Sequence, residues 1–253
     1  MENNYIFLTS EQLLFASVLM AVNIGLSIII RLGMGKQWII ASLRMTVQLL
    51  LVGFLLDWVF ALNNPVWILG VALFMTTIAS ITAVRRTSKR FAEIYVSSFV
   101  SVLGTSFFIM FFALKGILQI DPWYSPQYLF PLLGMVLGNT INGISLGLDR
   151  FMDSISVRRK EVEILLSLGA TSWEAANELI RDALRTSLIP TINSMLVMGI
   201  VSLPGMMTGQ ILAGVSRNEA VCFQIIVYFI ISIEATLRLI FNPYKSICFS
   251  LKY

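Results

Sequence analysis

The sequence predicts an all-α, polytopic membrane protein with about seven transmembrane helices, and three observations carry that prediction. Hydrophobic residues make up 57% of the 253 residues and charged residues only 13%, about half the charged share of a globular domain. Apolar runs of roughly 20 residues, enough to cross a hydrocarbon core, recur along the chain. Lys and Arg gather in alternate loops between those runs, as they do when charge sets membrane orientation. The net charge of +4 therefore points to a lipid bilayer and not to nucleic acid.

Seven segments are expected to span: 13–30, 39–56, 66–84, 94–114, 128–148, 188–214 and 220–240. The opening Met1-Glu-Asn-Asn lacks the basic stretch of a cleavable signal, so the first segment is expected to be a retained span. The second holds Arg44, which either snorkels to the surface or, with Gln48, faces a polar interior. Fifteen Lys and Arg residues lie in one set of loops, Arg85, Arg86, Lys89, Arg90, Lys245 and Lys252 among them, against Lys115 and Arg217 in the other. That asymmetry places the amino terminus outside, the carboxyl terminus inside, and residues 149–187 in the cytoplasm. No linker marks off a second domain, so residues 1–253 read as a single transmembrane domain. In the loop before the fifth span, Asp121-Pro-Trp-Tyr-Ser-Pro reads as a turn with interfacial aromatics.

The fifth span is the first with unusual polarity. Gly138, Asn142, Ser145 and Asp149 share one helical face, and Gly134/Gly138 and Gly143/Gly147 form two Gly-x-x-x-Gly pairs. Such glycines let helices approach closely in lipid. Asn139 and Asn142 have two readings, cross-helix bonding or the lining of a pathway; Ser145 joins them as a pathway candidate.

The charged interruption at 149–187 contains 13 of the 32 Asp, Glu, Lys and Arg residues. Residues 158–168 place Val162, Leu165 and Leu166 on one side at helical spacing. Gly169 is a natural stop, because it adopts left-handed angles without steric cost. Thr171 followed by Glu174 reads as a capping box that opens a second helix. There Trp173, Ala176, Ile180 and Ala183 share a face, with Glu178, Arg181, Asp182 and Arg185 as polar cover. Two short amphipathic helices joined by a sharp turn form a knob suited to a groove on a soluble partner. A surface hairpin that merely solvates a long loop is the other reading.

The sixth segment is interrupted. Pro204 removes a backbone donor and Gly205 lets the chain bend, so the helix is expected to run to Leu203, break at Pro204-Gly205, and resume over 206–214. Irregular backbone at membrane depth needs cover from protein or water, and broken helices in transporters often face cargo. Pro204, Gly205, Met206, Met207, Thr208 and Gln210 are therefore pathway candidates, with a plain proline kink as the alternative. In the last span Glu234 and Arg238 form an i,i+4 pair near the cytoplasmic end, expected to be structural and partly hydrated.

Several chemistries are absent. The chain has no His, and its two cysteines, Cys222 and Cys248, lack metal or disulfide spacing. No Gly-x-x-x-x-Gly-Lys-Ser/Thr phosphate loop occurs, so ATP would have to be bound and hydrolysed, with its Mg, on another chain. No loop is long enough to fold as an enzyme. A metal site remains unknown, since no carboxylate cluster accompanies the spans.

Two resemblances follow from these motifs. Glu163 with Gly169-Ala170 six residues on resembles the cytoplasmic EAA loop of ABC importer permeases, which docks on the ATPase subunit. It departs from that loop at Ile164-Leu165, where Ala-Ala is usual, and at Asp182, where proline is usual. Gly134-Met-Val-Leu-Gly-Asn-Thr-Ile-Asn, Leu168-Gly-Ala-Thr, Pro190-Thr-Ile-Asn-Ser-Met and Ser202-Leu-Pro-Gly-Met-Met-Thr-Gly-Gln-Ile-Leu-Ala-Gly together resemble the UPF0014 family across nearly the whole chain. Only the turn Gly214-Val-Ser-Arg-Asn-Glu-Ala departs, lacking an expected proline.

The second resemblance implies an inner-membrane permease subunit that pairs with a soluble ABC ATPase and assembles as a homodimer. In bacteria it implies export of iron, and in plants aluminium tolerance and nucleotide-sugar transport. On that reading Glu161, Glu163, Leu168, Gly169, Ala170, Thr171 and Trp173 couple to the ATPase. A nucleotide-independent channel or secondary transporter, and a non-transporting scaffold for a soluble partner, are the alternatives.

Overall fold

The computed structural model describes residues 10–62, 64–87 and 92–240. Lys89, Arg90, Lys245 and Lys252 of the charge asymmetry, together with Cys248 and the opening Met1-Glu-Asn-Asn, lie outside the described residues. Among the described residues every named element is helical: α1 Ser10–Ile29, α2 Gly35–Leu62, α3 Pro65–Arg85, α4 Ala92–Phe111, α5 Pro126–Val157, α6 Arg159–Ser167, α7 Ser172–Val197, α8 Gly205–Leu212 and α9 Arg217–Ile240. A π-helical turn, Phe112–Ile117, extends α4. Six described helices are long and apolar enough to cross a membrane, namely α1, α2, α3, α4 with its π turn, α5 and α9. Segment 188–214 is not a seventh continuous helix. It consists of the end of α7, a break, and α8. The all-α, multi-pass architecture is the one the composition predicts.

The chain divides into two compact units, residues 1–64 and 65–253. The first holds α1 and α2, a pair of apolar helices whose side chains are mostly exposed, as suits lipid-facing spans. The reversal between them uses positive φ at Arg31 and Gly33. Arg44 and Gln48 are both exposed on α2.

In the second unit α5 is the hub, packing on α3, α4, α7 and α9. Its 32 residues make a helix of about 48 Å, well beyond a hydrocarbon core of about 30 Å. One end must therefore project, and the charged residues Asp149, Arg150 and Asp153 occupy that end. The register can be read from side chains. Met75 of α3 lies 3.9 Å from where a Gly134 Cβ would stand, and Ser145 Oγ donates to the Ala83 carbonyl at 3.2 Å, so α3 and α5 run parallel. Arg150 pairs with Asp182 at 3.2 Å and Arg158 with Glu178 at 2.8 Å, so α5 and α7 run antiparallel. Tyr128 meets Phe223, with ring centroids 6.4 Å apart, and Thr140 meets Glu234 further along, so α9 runs parallel to α5.

Small and hydroxylated residues fill the seams of this bundle. Ala72, Thr76, Ala79, Ser80 and Ala83 are buried on α3, and Ser98, Ser101, Thr105 and Ser106 on α4. In lipid there is little hydrophobic drive between helices, so close approach through small side chains replaces it. Thr76 returns its hydroxyl to the Ala72 carbonyl one turn back, which satisfies it without a partner helix.

Candidate functional site: a docking hairpin and a cavity at a broken helix

The hairpin forms from local signals. Gly169 adopts φ +93°, and the Gly169 and Ala170 amides return to the Leu166 and Leu165 carbonyls at 3.1 and 3.0 Å, closing α6. Thr171 then caps α7. The Glu174 amide donates to Thr171 Oγ1 at 3.3 Å, while the Thr171 amide and hydroxyl each donate to Glu174 Oε2 at 2.8 Å. These two donations hold the Glu174 carboxyl below its ordinary range, the backbone donation being the larger cause.

Ion pairs brace the hairpin. Arg158 reaches Glu161 at 2.6 Å and Glu178 at 2.8 Å, and both bonds raise its pKa further. Arg159 pairs with Glu163 at 2.7 Å. Thus Glu161 and Glu163 are exposed and held by arginines of their own helix or cap. The inner face of α7 buries Ala175, Ala176, Leu179, Ile180 and Ala183.

Two expectations for the hairpin need correction. Trp173, expected to share one face with Ala176, Ile180 and Ala183, is 45% exposed while those three are buried, and of Val162, Leu165 and Leu166, expected on one side, only Val162 is buried. Leu168 is 79% exposed. Trp173 sits in the first turn of α7, beyond the reach of α5, so helical spacing alone misplaces it. The result is an apolar tip of Ile164, Leu165, Leu168 and Trp173 around a rigid turn, ringed by charge.

A third correction concerns continuity. The second helix of the hairpin does not end before the sixth segment: α7 runs unbroken from Ser172 to Val197, through Pro190. Its 26 residues span about 39 Å. The hairpin and the membrane segment are one lever.

The break itself lies earlier than expected. The backbone leaves the helix at Met198, Gly199 takes φ +80°, and α8 begins at Gly205 with Pro204 as its N-cap. Pro204 therefore opens a helix and does not end one, because a proline at a helix start loses no internal bond. Between the two helices the Gly199 amide donates to the Ser202 carbonyl at 3.0 Å, and the Val201 amide to Val197 at 3.0 Å. The break thus meets part of its own hydrogen-bond demand.

Against this break and α9 lies a cavity of about 300 Å³. Met195, Met198, Pro204, Met207, Gln224 and Tyr228 line it. Of the sequence-based pathway candidates it contains Pro204 and Met207. Gly205, Met206, Thr208 and Gln210 belong to the same short helix without lining it; Thr208 bonds the Pro204 carbonyl at 2.7 Å, and Gln210 Oε1 is buried without a partner. Asn139, Asn142 and Ser145 lie elsewhere. Asn142 accepts from Arg86 Nη1 at 3.0 Å on the α3–α5 seam, Asn139 donates to the Met135 carbonyl of its own helix, and Ser145 bonds Ile141 and Ala83. Met195, Met198, Gln224 and Tyr228 were not anticipated, although a lone amide such as Gln224 in an apolar span was a legible signal.

A separate polar centre joins α4, α5 and α9. Glu234 and Arg238, expected to be partly hydrated, are 0% and 3% exposed. Thr140 and Thr105 donate to the Glu234 carboxylate at 3.2 and 3.4 Å. Among the described residues no group of three His, Cys, Asp or Glu side chains comes together to hold a metal.

Comparison with known proteins adds the following. Residues 10–247 match the family model described as Uncharacterised protein family (UPF0014). The chain is 42% identical to the UPF0014 membrane protein slr1647 of Synechocystis over 83% of this chain and 81% of that one. It is 32% identical to the Escherichia coli protein named Probable iron export permease protein FetB, over 94% and 90%. It is 32% identical to Protein ALUMINUM SENSITIVE 3 of Arabidopsis thaliana, over 90% and 82%. No solved structure matches.

Proposed function

The chain belongs to the UPF0014 family, and from that premise we propose that it is the membrane-spanning permease subunit of an ABC exporter. A separate ATPase subunit docks on the α6–α7 hairpin, hydrolyses ATP with Mg on its own surface, and drives transport through this chain. The observation that carries the reading is the continuity of α7 from the exposed hairpin tip at Trp173 to the broken helix at Met198. Displacement of the tip is carried toward the cavity along one continuous helix, with Pro190 as the point in it where a bend can form.

The tip has the composition of a docking element, since exposed apolar anchors within a charged rim are what a partner's groove recognises. Leu168, Gly169, Ala170, Thr171 and Trp173 form the contact, while Glu161 and Glu163 set its charge. ABC ATPases act in pairs and each chain offers one hairpin, so two copies assemble around two ATPase subunits. The hairpin end faces the cytoplasm, where Arg85 and Arg86 at the end of α3 join it on the same side.

Iron is the first cargo to test, because a relative bears the name of an iron export permease. Inside-out vesicles containing this chain and its ATPase are expected to accumulate labelled iron only with ATP. Accumulation that is equal without ATP, or absent with nucleotide-sugar accumulated instead, would overturn the driven-export or the iron reading respectively.

A further inference from the structure

The outward face of α7 carries a polar group that its own chain leaves unserved. Ile189, Ile192, Asn193 and Leu196 recur at helical spacing and are all exposed, while Ser187 and Thr191 on the opposite side are buried. Other polar side chains at this depth are satisfied within their own helices. Ser194 donates to the Pro190 carbonyl at 2.9 Å, and Asn139 of α5 donates to the Met135 carbonyl at 2.9 Å. Among the described residues the Asn193 amide has no such bond.

Its depth makes that costly. The Ser187 carbonyl lies 3.1 Å from where a Gly143 Cβ would stand, which sets α7 in register against α5. Six residues further along α7, about 9 Å at 1.5 Å per residue, Asn193 is level with Leu137 of the antiparallel α5. Leu137 lies midway between Pro126, where α5 begins, and Asp149, its first charge. Asn193 therefore stands near the middle of the bilayer, where lipid offers an amide neither donor nor acceptor. The same helix runs into the break, where Ile200 and Val201 are 88% and 80% exposed. There the Ile200 and Leu203 amides reach no backbone carbonyl among the described residues. Non-helical backbone is tolerated at membrane depth only under cover.

The chemistry of the face selects its occupant. Between Arg185 and Arg217 the chain has no charged residue, so a partner chosen by charge finds nothing to match. An asparagine is self-complementary. Two copies share one orientation in the membrane, so a twofold axis along the membrane normal lets each amide donate to the carbonyl of the other. We propose that the α7 face from Ile189 to Leu196 is the membrane contact between two copies of this chain, with the Asn193 amides paired across it. This rests on the two-copy reading above and names its surface. The two α7 helices then touch at mid-depth, so a displacement started at one hairpin is felt by the other copy.

The test uses the full-length chain in native membranes with Cys222→Ser and Cys248→Ser, so that one added cysteine reports its neighbours. On oxidation, Asn193→Cys and Leu196→Cys are each expected to give several times the disulfide-linked dimer of Phe108→Cys, a position 65% exposed on α4. In liposomes diluted with lipid, Asn193→Leu should weaken association about tenfold, while Asn193→Gln keeps it. The diluted monomer of Asn193→Leu should unfold as the parent does, because the face is exposed.

Equal linkage at Phe108→Cys, or undiminished association of Asn193→Leu, would overturn the proposal. So would labelling of Asn193→Cys in the dimer by a membrane-impermeant maleimide, which would put a watery pathway where the pair should be. A parent that is dimeric yet unlinked at both α7 positions would move the contact elsewhere, ending the proposal and leaving the two-copy reading intact. A parent that is monomeric both alone and with its ATPase would remove both.

Discussion

Glu234 and Arg238 stand one turn apart on α9, with Oε2 3.6 Å from Nη1 and both side chains enclosed. Thr105 of α4 and Thr140 of α5 bond the carboxylate, and Arg238 Nη2 lies 3.5 Å from where a Cβ on Gly143 would be. One ion pair therefore ties three helices together beside the fourth, α7. Removing one partner strands the other as a buried charge, which typically costs about 3–5 kcal/mol. Arg238→Ala and Glu234→Ala are each expected to lower stability by about that amount in detergent unfolding. The double variant Glu234→Leu/Arg238→Leu should recover most of the loss, and a double-mutant cycle measures the coupling.

Gly143 makes a second prediction. A Cβ there would stand 3.1 Å from the Ser187 carbonyl of α7, and helix backbone cannot swing aside as a side chain does. Gly143→Ala should destabilise the α5–α7 contact by about 1–3 kcal/mol, the usual range for overpacking. At Gly138 nothing lies within 4 Å of the added atom. Gly138→Ala is expected to stabilise α5 by about 0.5–1 kcal/mol through lost chain entropy. Parallel unfolding curves of the two variants check the contrast.

The hairpin tip predicts a separation of stability from coupling. Leu168 is exposed, so Leu168→Ala should change unfolding by no more than about 0.5 kcal/mol. If the tip fills a groove on the ATPase, both Leu168→Ala and Trp173→Ala should reduce stimulation of ATP hydrolysis by about tenfold or more. Hydrolysis rates of the reconstituted complex, with and without the permease, make the comparison. Unchanged stimulation in both variants would remove the docking role from this tip.

Acid should loosen the same hairpin. The Glu174 carboxyl titrates below its ordinary value of 4.5 because the Thr171 amide and hydroxyl bond its ionised form. A carboxylate whose folded pKa is depressed adds stability that is fully present above the unfolded value and is lost as pH falls through the folded one. The capping box should therefore hold at neutral pH and open only below the ordinary carboxylate range. Trp173 fluorescence, followed from about pH 6 to about pH 3, is expected to report the opening. Glu174→Gln, which caps without titrating, should flatten that profile.

Much of this protein was legible before its structure. Composition and the length of apolar runs determined the membrane class, because lipid obliges each span to meet its own backbone bonds as a helix. Gly169 and the Thr171–Glu174 box determined the hairpin, because turns and caps depend on residues a few positions apart. Local chemistry suffices where the partners are local.

Other features needed neighbours that the sequence does not order. The end of α7 at Val197, and not at Leu203, depends on Gly199 taking a positive φ and on Pro204 opening α8, and the residue types alone fit either arrangement. The burial of Glu234 and Arg238 depends on Thr105 and Thr140 arriving from two other helices. Gly143 meets α7 closely while Gly138, one turn and a residue away, meets nothing within 4 Å, though each belongs to a Gly-x-x-x-Gly pair of the same helix. The unbonded Gln224 exists only because α7, the break, α8 and α9 enclose it without supplying a donor or acceptor. Helical periodicity says which residues share a face, but packing between distant segments decides what that face touches. The sequence by itself determined the helices and their hinged tip. Only the tertiary structure decided which buried polar groups are satisfied and which are left without a partner.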